Sequence, residues 1–381
     1  MLEDNENRHL AVIDYFLVFS IFFVGDHLLI ASTPSFVIVW LSILIWRFLN
    51  GPSLSVGELL AQAGVFVLCL PLYIRGLVSH ELYYLFLFQA VLFINAMPLM
   101  IRVLQSGALG VVVLASCVIF LLEGFYTWNQ RQGIFFGPNV LYRVYALPLS
   151  MLAASCLISR SSNVHVRTPG WVAGLAAVLL LVPIISTGSR GGLMTYALVV
   201  FVLAAIYVRS EQRSHYVILV VASLSIAALL FYNWSTLQIS LGRTVDYRSI
   251  IEGDAIRFSL LSRAYDFISS ENGFDLILGL GSVNAYYADG VLYPHNFFLE
   301  LLVYHGVFFL IIVILQYSLV SMYIKTSGVF FVAGLVLILP IFIGAMVSGN
   351  MQDHAYLLGF PFAWAVVCKG YEQDFPNRKI R

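Results

Sequence analysis

WVAGLAAVLLLVPIIST at residues 171–187, GSRG at 188–191 and GLMTYALVVFVLAAIYV at 192–208 form one continuous stretch of the chain. Two apolar runs of near membrane-spanning length flank a polar turn that can only reverse direction, which is the pattern of a helical hairpin in a bilayer. Comparable runs recur near 10–24, 28–49, 56–74, 82–101, 107–123, 140–158, 216–232, 297–323, 329–348 and 354–368. The expected fold is therefore all-α, a polytopic membrane protein of about twelve transmembrane helices, with residues 1–381 forming one integral-membrane domain. Composition agrees: 60% of residues are hydrophobic and 10% charged, against roughly one quarter charged in soluble domains.

Cys69, Cys117, Cys156 and Cys368 all lie in or at the end of apolar runs, where cysteine behaves as a small hydrophobe, so no disulfide framework is implied. The opening Met1-Leu2-Glu3-Asp4-Asn5-Glu6 is acidic and no small-residue cleavage site follows the first run. A retained N-terminus is expected, not a cleaved signal peptide. The formal net charge of zero gives no ground for a nucleic-acid partner.

Threaded with the N-terminus inside, the twelve runs leave Arg8, Arg47, Arg102, Arg160, Arg167, Arg209, Arg213, Lys325, Lys369, Arg378, Lys379 and Arg381 on the inner side. All three lysines fall there, and the reversed threading would export the basic tail, so the positive-inside rule puts both termini in the cytoplasm. The outer basic residues are all arginine: Arg75, Arg131, Arg143, Arg190, Arg243, Arg248, Arg257 and Arg263. Guanidinium forks suit phosphate oxygens. Arginine also supplies 17 of the 20 basic residues overall, so the outer set follows equally from composition.

Residues 233–294 form the one long stretch between runs and are expected to be a large periplasmic loop; connections of this length are usually functional. Within it, Asp254 can cap a helix running to about Ser270, which Glu271-Asn272-Gly273 ends. Helical spacing puts Arg257 on one face with Leu261, Ala264 and Ile268, and Arg263 on another with Ser259, Asp266 and Ser270. Arg257 thus belongs to the apolar stripe and Arg263 to the wet one.

Three polar clusters reach the outer surface. Ser186-Thr187-Gly188-Ser189-Arg190-Gly191-Gly192 joins two runs; it reads either as an anion cradle of exposed backbone amides beside an arginine or as a plain hairpin with an interfacial arginine. The Arg257 helix leads to Gly279-Leu280-Gly281, which lacks the third glycine and the strand–turn–helix setting of a dinucleotide site. Tyr293-Pro294-His295-Asn296 leads directly into a long run carrying Glu300, and an ionisable group at such depth points to function. His295 reads either as a general base or as a satisfied polar tip. No Walker lysine loop, H-E-x-x-H, close cysteine pair or Asp-x-Asp occurs, so ATP hydrolysis, zinc chemistry and metal-held nucleotide-sugar donors lose ground. No cofactor or metal is expected.

In these residues the chain resembles the O-antigen polymerase and O-antigen ligase superfamily. The family's Ser-x-Ser-Arg-Gly is similar to Thr187-Gly188-Ser189-Arg190-Gly191. Its arginine-led helix ending in Gly-x-Gly is similar to Arg257 through Gly281, and its His-Asn helix start to His295-Asn296 with Gly306 after nine intervening residues. A Gly137-Pro138-Asn139 before a span is a further likeness. The resemblance implies an inverting glycosyltransferase of the bacterial inner membrane with its active site at the periplasmic face. It implies His295 as catalytic base and Arg190 and Arg257 as diphosphate-binding residues, with Ser189, Gly279, Gly281, Asn296 and Glu300 in support. The implied partners are an undecaprenyl-diphosphate-linked oligosaccharide, membrane lipid, and a chain-length regulator or other polysaccharide-assembly proteins. The ligase pattern has Gly, Thr or Tyr where this chain has Phe309, so the polymerase reading leads. The alternatives are a ligase acting on lipid A-core and, from another class, a polysaccharide or lipid transporter. The transporter would call for repeats or discontinuous helices, and the chain shows no internal repeat.

Overall fold

The computed structural model describes residues 13–18, 33–50, 95–106, 109–126, 138–161, 168–186, 190–207, 296–324 and 328–347, with scattered positions at 59–63, 258–279 and 364. Among the described residues there is helix and no strand. The long helices are α1 (Thr33–Asn50), α2 (Leu109–Tyr126), α3 (Pro138–Ser161), α4 (Gly170–Ser186), α5 (Arg190–Tyr207), α6 (Phe297–Ile324) and α7 (Gly328–Val347). Each matches an expected run, with ends shifted by five residues at most. The runs near 10–24, 56–74, 82–101, 216–232 and 354–368 lie largely outside the described residues. Start signals are local: Pro34 follows Thr33, and Pro138 opens α3, places where the missing amide of proline costs nothing.

At 17 to 24 residues, the helices other than α6 measure about 25–36 Å at 1.5 Å per residue. Among the described residues no single helix is both long and apolar enough to cross a membrane. Taken together, Asn95–Leu104 and Leu109–Leu122 are, but they meet at 99°. The sequence reading has two separate spans here. The reason for the bend is a short capped connection: the Gln105 amide donates to the Ile101 carbonyl at 3.0 Å, that of Ser106 to Val103 at 3.0 Å, and that of Leu109 to Ser106 at 3.2 Å.

α3 is the centre of the bundle, packing against α2, α4, α5 and most extensively α7. It is buried without interruption from Tyr145 to Cys156, although it is the least apolar of the seven helices. Contacts at the helix ends set the directions. Gly110, opening α2, lies against Thr168 just before α4, and Gly124 near the end of α2 lies against Pro183 near the end of α4. So α2 and α4 run parallel. α3 runs antiparallel to both, since Ser155 near its end donates to the Leu104 carbonyl just ahead of α2. This alternation is the one expected from the sequence.

A buried carboxylate ties the same end together. Asp14 is 1% exposed; it accepts a 2.5 Å hydrogen bond from Trp46 Nε1 and pairs with Arg102 Nε at 3.1 Å. A carboxylate at such burial needs this compensation. Expected threading places Arg47 and Arg102 on one side, and Asp14 now joins them. The outer surfaces are greasy. Ile38, Leu41, Ile45 and Phe48 on α1, Val111, Val118, Ile119 and Leu122 on α2, and Ile311, Ile314 and Leu315 on α6 are exposed stripes at helical spacing.

The α2–α4 contact makes a stability prediction. A Cβ on Gly124 would lie 2.7 Å from Pro183 Cα, which is backbone, whereas one on Gly110 would lie 3.0 Å from the rotatable Thr168 Cγ2. Gly124→Ala should destabilise by about 1–3 kcal/mol, the cost of overpacking, with Gly110→Ala close to the parent. Thermal unfolding of the purified full chain in detergent checks this, and equal midpoints for both variants would contradict the packing.

Candidate functional site

Two of the expected site elements meet through backbone. α6 is broken at Gly306, whose φ of 76° and ψ of 176° are not helical. Gly279 also has positive φ, 72°, a region open to glycine and costly for other residues. A Cβ built on Gly306 would lie 2.5 Å from the Ile277 carbonyl carbon and 2.6 Å from the Gly279 nitrogen. The loop backbone therefore occupies the space a side chain would need. The expected continuous run 297–323 is thus one helix in two parts. The sequence reading takes Gly306 as a motif position only; a glycine inside an apolar run, directly after Tyr304-His305, is the signal that marks the break.

The start of α6 is built by Asn296. Its Oδ1 accepts the Leu299 amide at 3.0 Å, three residues on, which is the geometry of an N-cap. Its carbonyl accepts the Glu300 amide at 2.9 Å, the first bond of the helix. Its Nδ2 donates to the Met346 carbonyl at 3.4 Å, so one amide both starts α6 and reaches the end of α7. Glu300 is 4% exposed and sits in the first turn, where a carboxylate is favoured by the helix dipole. Phe297 and Phe298 stack edge to face at 5.5 Å, and Phe298 meets Phe342 of α7 at 6.3 Å.

The expected loop helix is helical at Phe258, Ser259, Ser262, Tyr265, Asp266 and Ser269, and all six are exposed. These positions trace one face at helical spacing. Ser259 and Asp266 belong to the face assigned to Arg263, which is the wet one. Ser269 Oγ donates back to the Tyr265 carbonyl at 2.8 Å, as serines in helices commonly do.

Arg190 is the first residue of α5, one step after the turn whose other side is closed by Ser186 Oγ donating to the Pro183 carbonyl at 2.6 Å. Tyr196, further along α5, donates from its hydroxyl to the Ala177 carbonyl at 2.7 Å, pinning α5 to α4. α5 packs on α7, and α7 packs on α6, so α7 links the helix that begins at Arg190 with the helix capped by Asn296. Ser189, Arg257, Gly281 and His295 lie outside the described residues.

The arrangement offers a capped helix start, a buried carboxylate one turn in, and a glycine loop seated on the same helix. The Asn296 amide is fixed by backbone contacts at both of its ends, as a positioned site requires. Asn296 lends itself to a graded test. Ser at this position keeps an acceptor for the Leu299 amide but is too short for Met346, and Ala loses both. Thermal midpoints of the full chain should fall in the order parent, Asn296→Ser, Asn296→Ala, with the alanine variant losing about 1–2 kcal/mol. An alanine variant as stable as the parent would remove the cap from the account.

The chain matches no protein-family model and no curated protein sequence.

Proposed function

We propose that this chain is a multi-pass membrane glycosyltransferase that uses a polyprenyl-diphosphate-linked glycan, most specifically an O-antigen or other surface-polysaccharide polymerase. The observation that carries the reading is the seating of Gly279 on Gly306. Two of the three motifs that resemble the polymerase and ligase superfamily, distant in sequence, become one structural element there. The third, at Arg190, opens a helix that packs on the same neighbour, α7.

Membrane embedding is supported by the inverted distribution of polarity. Exposed Ile, Leu, Val and Phe stripes cover the peripheral helices, while Asn95, Ser150, Ser155, Ser159, Thr195 and Glu300 are buried. Contiguous apolar surface on that scale marks an interface, and its spread over several helices suits lipid. The length and hydropathy of the apolar runs support the same setting independently. The arginine and lysine distribution then favours an outer position for His295, Arg190 and Arg257 with both termini inside. The resemblance implies that the membrane is the bacterial inner one, with the site at its periplasmic face and the termini cytoplasmic.

In the proposed reaction His295 takes the proton of an acceptor sugar hydroxyl, a role suited to an imidazole that titrates near neutrality. The hydroxyl oxygen attacks the anomeric carbon, a new glycosidic bond forms with inversion, and the bond to the polyprenyl diphosphate breaks. Arg190 and Arg257 hold the diphosphate and stabilise the charge it gains on leaving. Asn296, held by the Leu299 amide and the Met346 carbonyl, anchors the chain directly after His295, and Glu300, Ser189, Gly279 and Gly281 shape the surroundings. No metal or nucleotide enters this scheme. A ligase shares the chemistry and differs in acceptor; Phe309 favours the polymerase.

One observation favours a second reading, a polysaccharide or lipid transporter, because transporters bind substrate at broken helices and α6 is broken at Gly306. In this chain the break is filled by the chain's own Ile277 and Gly279 backbone, which leaves the glycosyltransferase the better account.

Purified protein with its lipid-linked repeat unit separates these readings. His295→Ala should lower turnover by about 10²–10⁴-fold while donor binding persists, and a near-normal rate would demote His295 to structure. Arg257→Ala should abolish polymer while Arg263→Ala is mild, because the two side chains lie on different helix faces, and equal loss from both would contradict the face assignment. Deleting the gene should leave surface glycolipid with one repeat unit at most. Full-length chains stranded on the polyprenyl carrier would make the protein a ligase instead.

A further inference from the structure

α6 ends at Ile324 and α7 begins at Gly328, so a straight antiparallel pair would set Met346 level with Gly306. The contacts are different. Asn296 Nδ2 reaches the Met346 carbonyl, and the Phe298 ring meets that of Phe342. Both are out of step by on the order of ten residues, which at 1.5 Å per residue is roughly 15 Å of helix axis. Gly306 is where the backbone of α6 leaves helical geometry, and hence where that length is taken up. The shape of the turn there depends on two positive-φ glycines in contact, since a Cβ on Gly306 would overlap Ile277 and Gly279.

We propose that Gly306 and Gly279 are a positioning pair: their contact sets where the first turn of α6, and with it the His295-Asn296 start, stands relative to the loop that carries Arg257. The inference rests on the glycosyltransferase reading of the site. Neither glycine touches substrate. The pair couples the element bearing the base to the element bearing a diphosphate ligand, so disturbing it moves one against the other without removing either. A shift of about 1 Å between reacting groups can cost on the order of 10²-fold in rate. Donor affinity, which depends on the arginines, should survive.

The test uses the full-length protein in lipid nanodiscs with undecaprenyl-diphosphate-linked oligosaccharide as donor and acceptor. Gly306→Ala and Gly279→Ala should each lower kcat on the order of 10²-fold at an unchanged donor KM, with Gly110→Ala as a control that behaves like the parent. A structural arm runs beside it: spin labels at Ser269→Cys and Ser318→Cys, both exposed positions, report the loop helix against α6 by pulsed EPR. The parent should give one narrow distance distribution, shifted or broadened by either glycine variant. Unchanged distances in both variants would overturn the proposal whatever the rates, and so would a raised donor KM at unchanged kcat. If the parent protein transfers no sugar at all, the glycosyltransferase reading fails, and the distance arm still decides whether the two glycines hold the loop.

Discussion

Helices in this bundle come together where side chains are missing. Gly110 and Gly124 bring α2 against Thr168 and Pro183, Gly334 on α7 sits against the Trp364 indole with room for no Cβ, and Gly306 accepts the loop backbone. In water, burial of apolar surface would drive such contacts without help. In the membrane setting proposed above, between lipid tails that are as apolar as leucine, association would depend on close van der Waals packing and on hydrogen bonds between helices. The glycines supply the first. Ser155 to Leu104, Tyr196 to Ala177 and Asn296 to Met346 supply the second. Every bond in that group ends on a backbone carbonyl, an acceptor that any residue type provides, so the pairing survives changes in the acceptor's side chain.

Much of the helix inventory was legible because an apolar run of helical length declares itself without reference to anything distant. α2 through α7 fall within three residues of the expected boundaries. Local spacing also carried the wet face of the loop helix, where Ser259 and Asp266 are exposed, whereas the cap at Asn296 shows only in its bond to the Leu299 amide. What hydropathy averages over is direction. A window of apolar residues looks the same whether the chain is straight, bent by 99° after Leu104 or broken at Gly306. Those features depend on backbone dihedrals and on partners far along the chain.

The site divides in the same way. Residue types near His295, Arg190 and Arg257 could be read for their chemistry, because guanidinium, imidazole and glycine have distinct uses. The apposition of Gly279 and Gly306 could not, since no periodicity connects them. Asp14 is similar: a lone carboxylate in an apolar run gives no hint that Trp46 and Arg102 will enclose it. Its two partners come from separate helices, and only the assembled bundle shows that a single charge holds three chain segments at one end.

The central position of α3 has a consequence for biogenesis. Its largest partner, α7, is made last among the described helices, long after α3 itself. Until then the flank of α3 that packs on α7 lacks that cover. Under the membrane reading proposed above, α3 is thus the segment an insertase or chaperone has most reason to hold. Chains interrupted before α7 would present an incompletely covered α3, a feature by which quality control can distinguish unfinished proteins from finished ones.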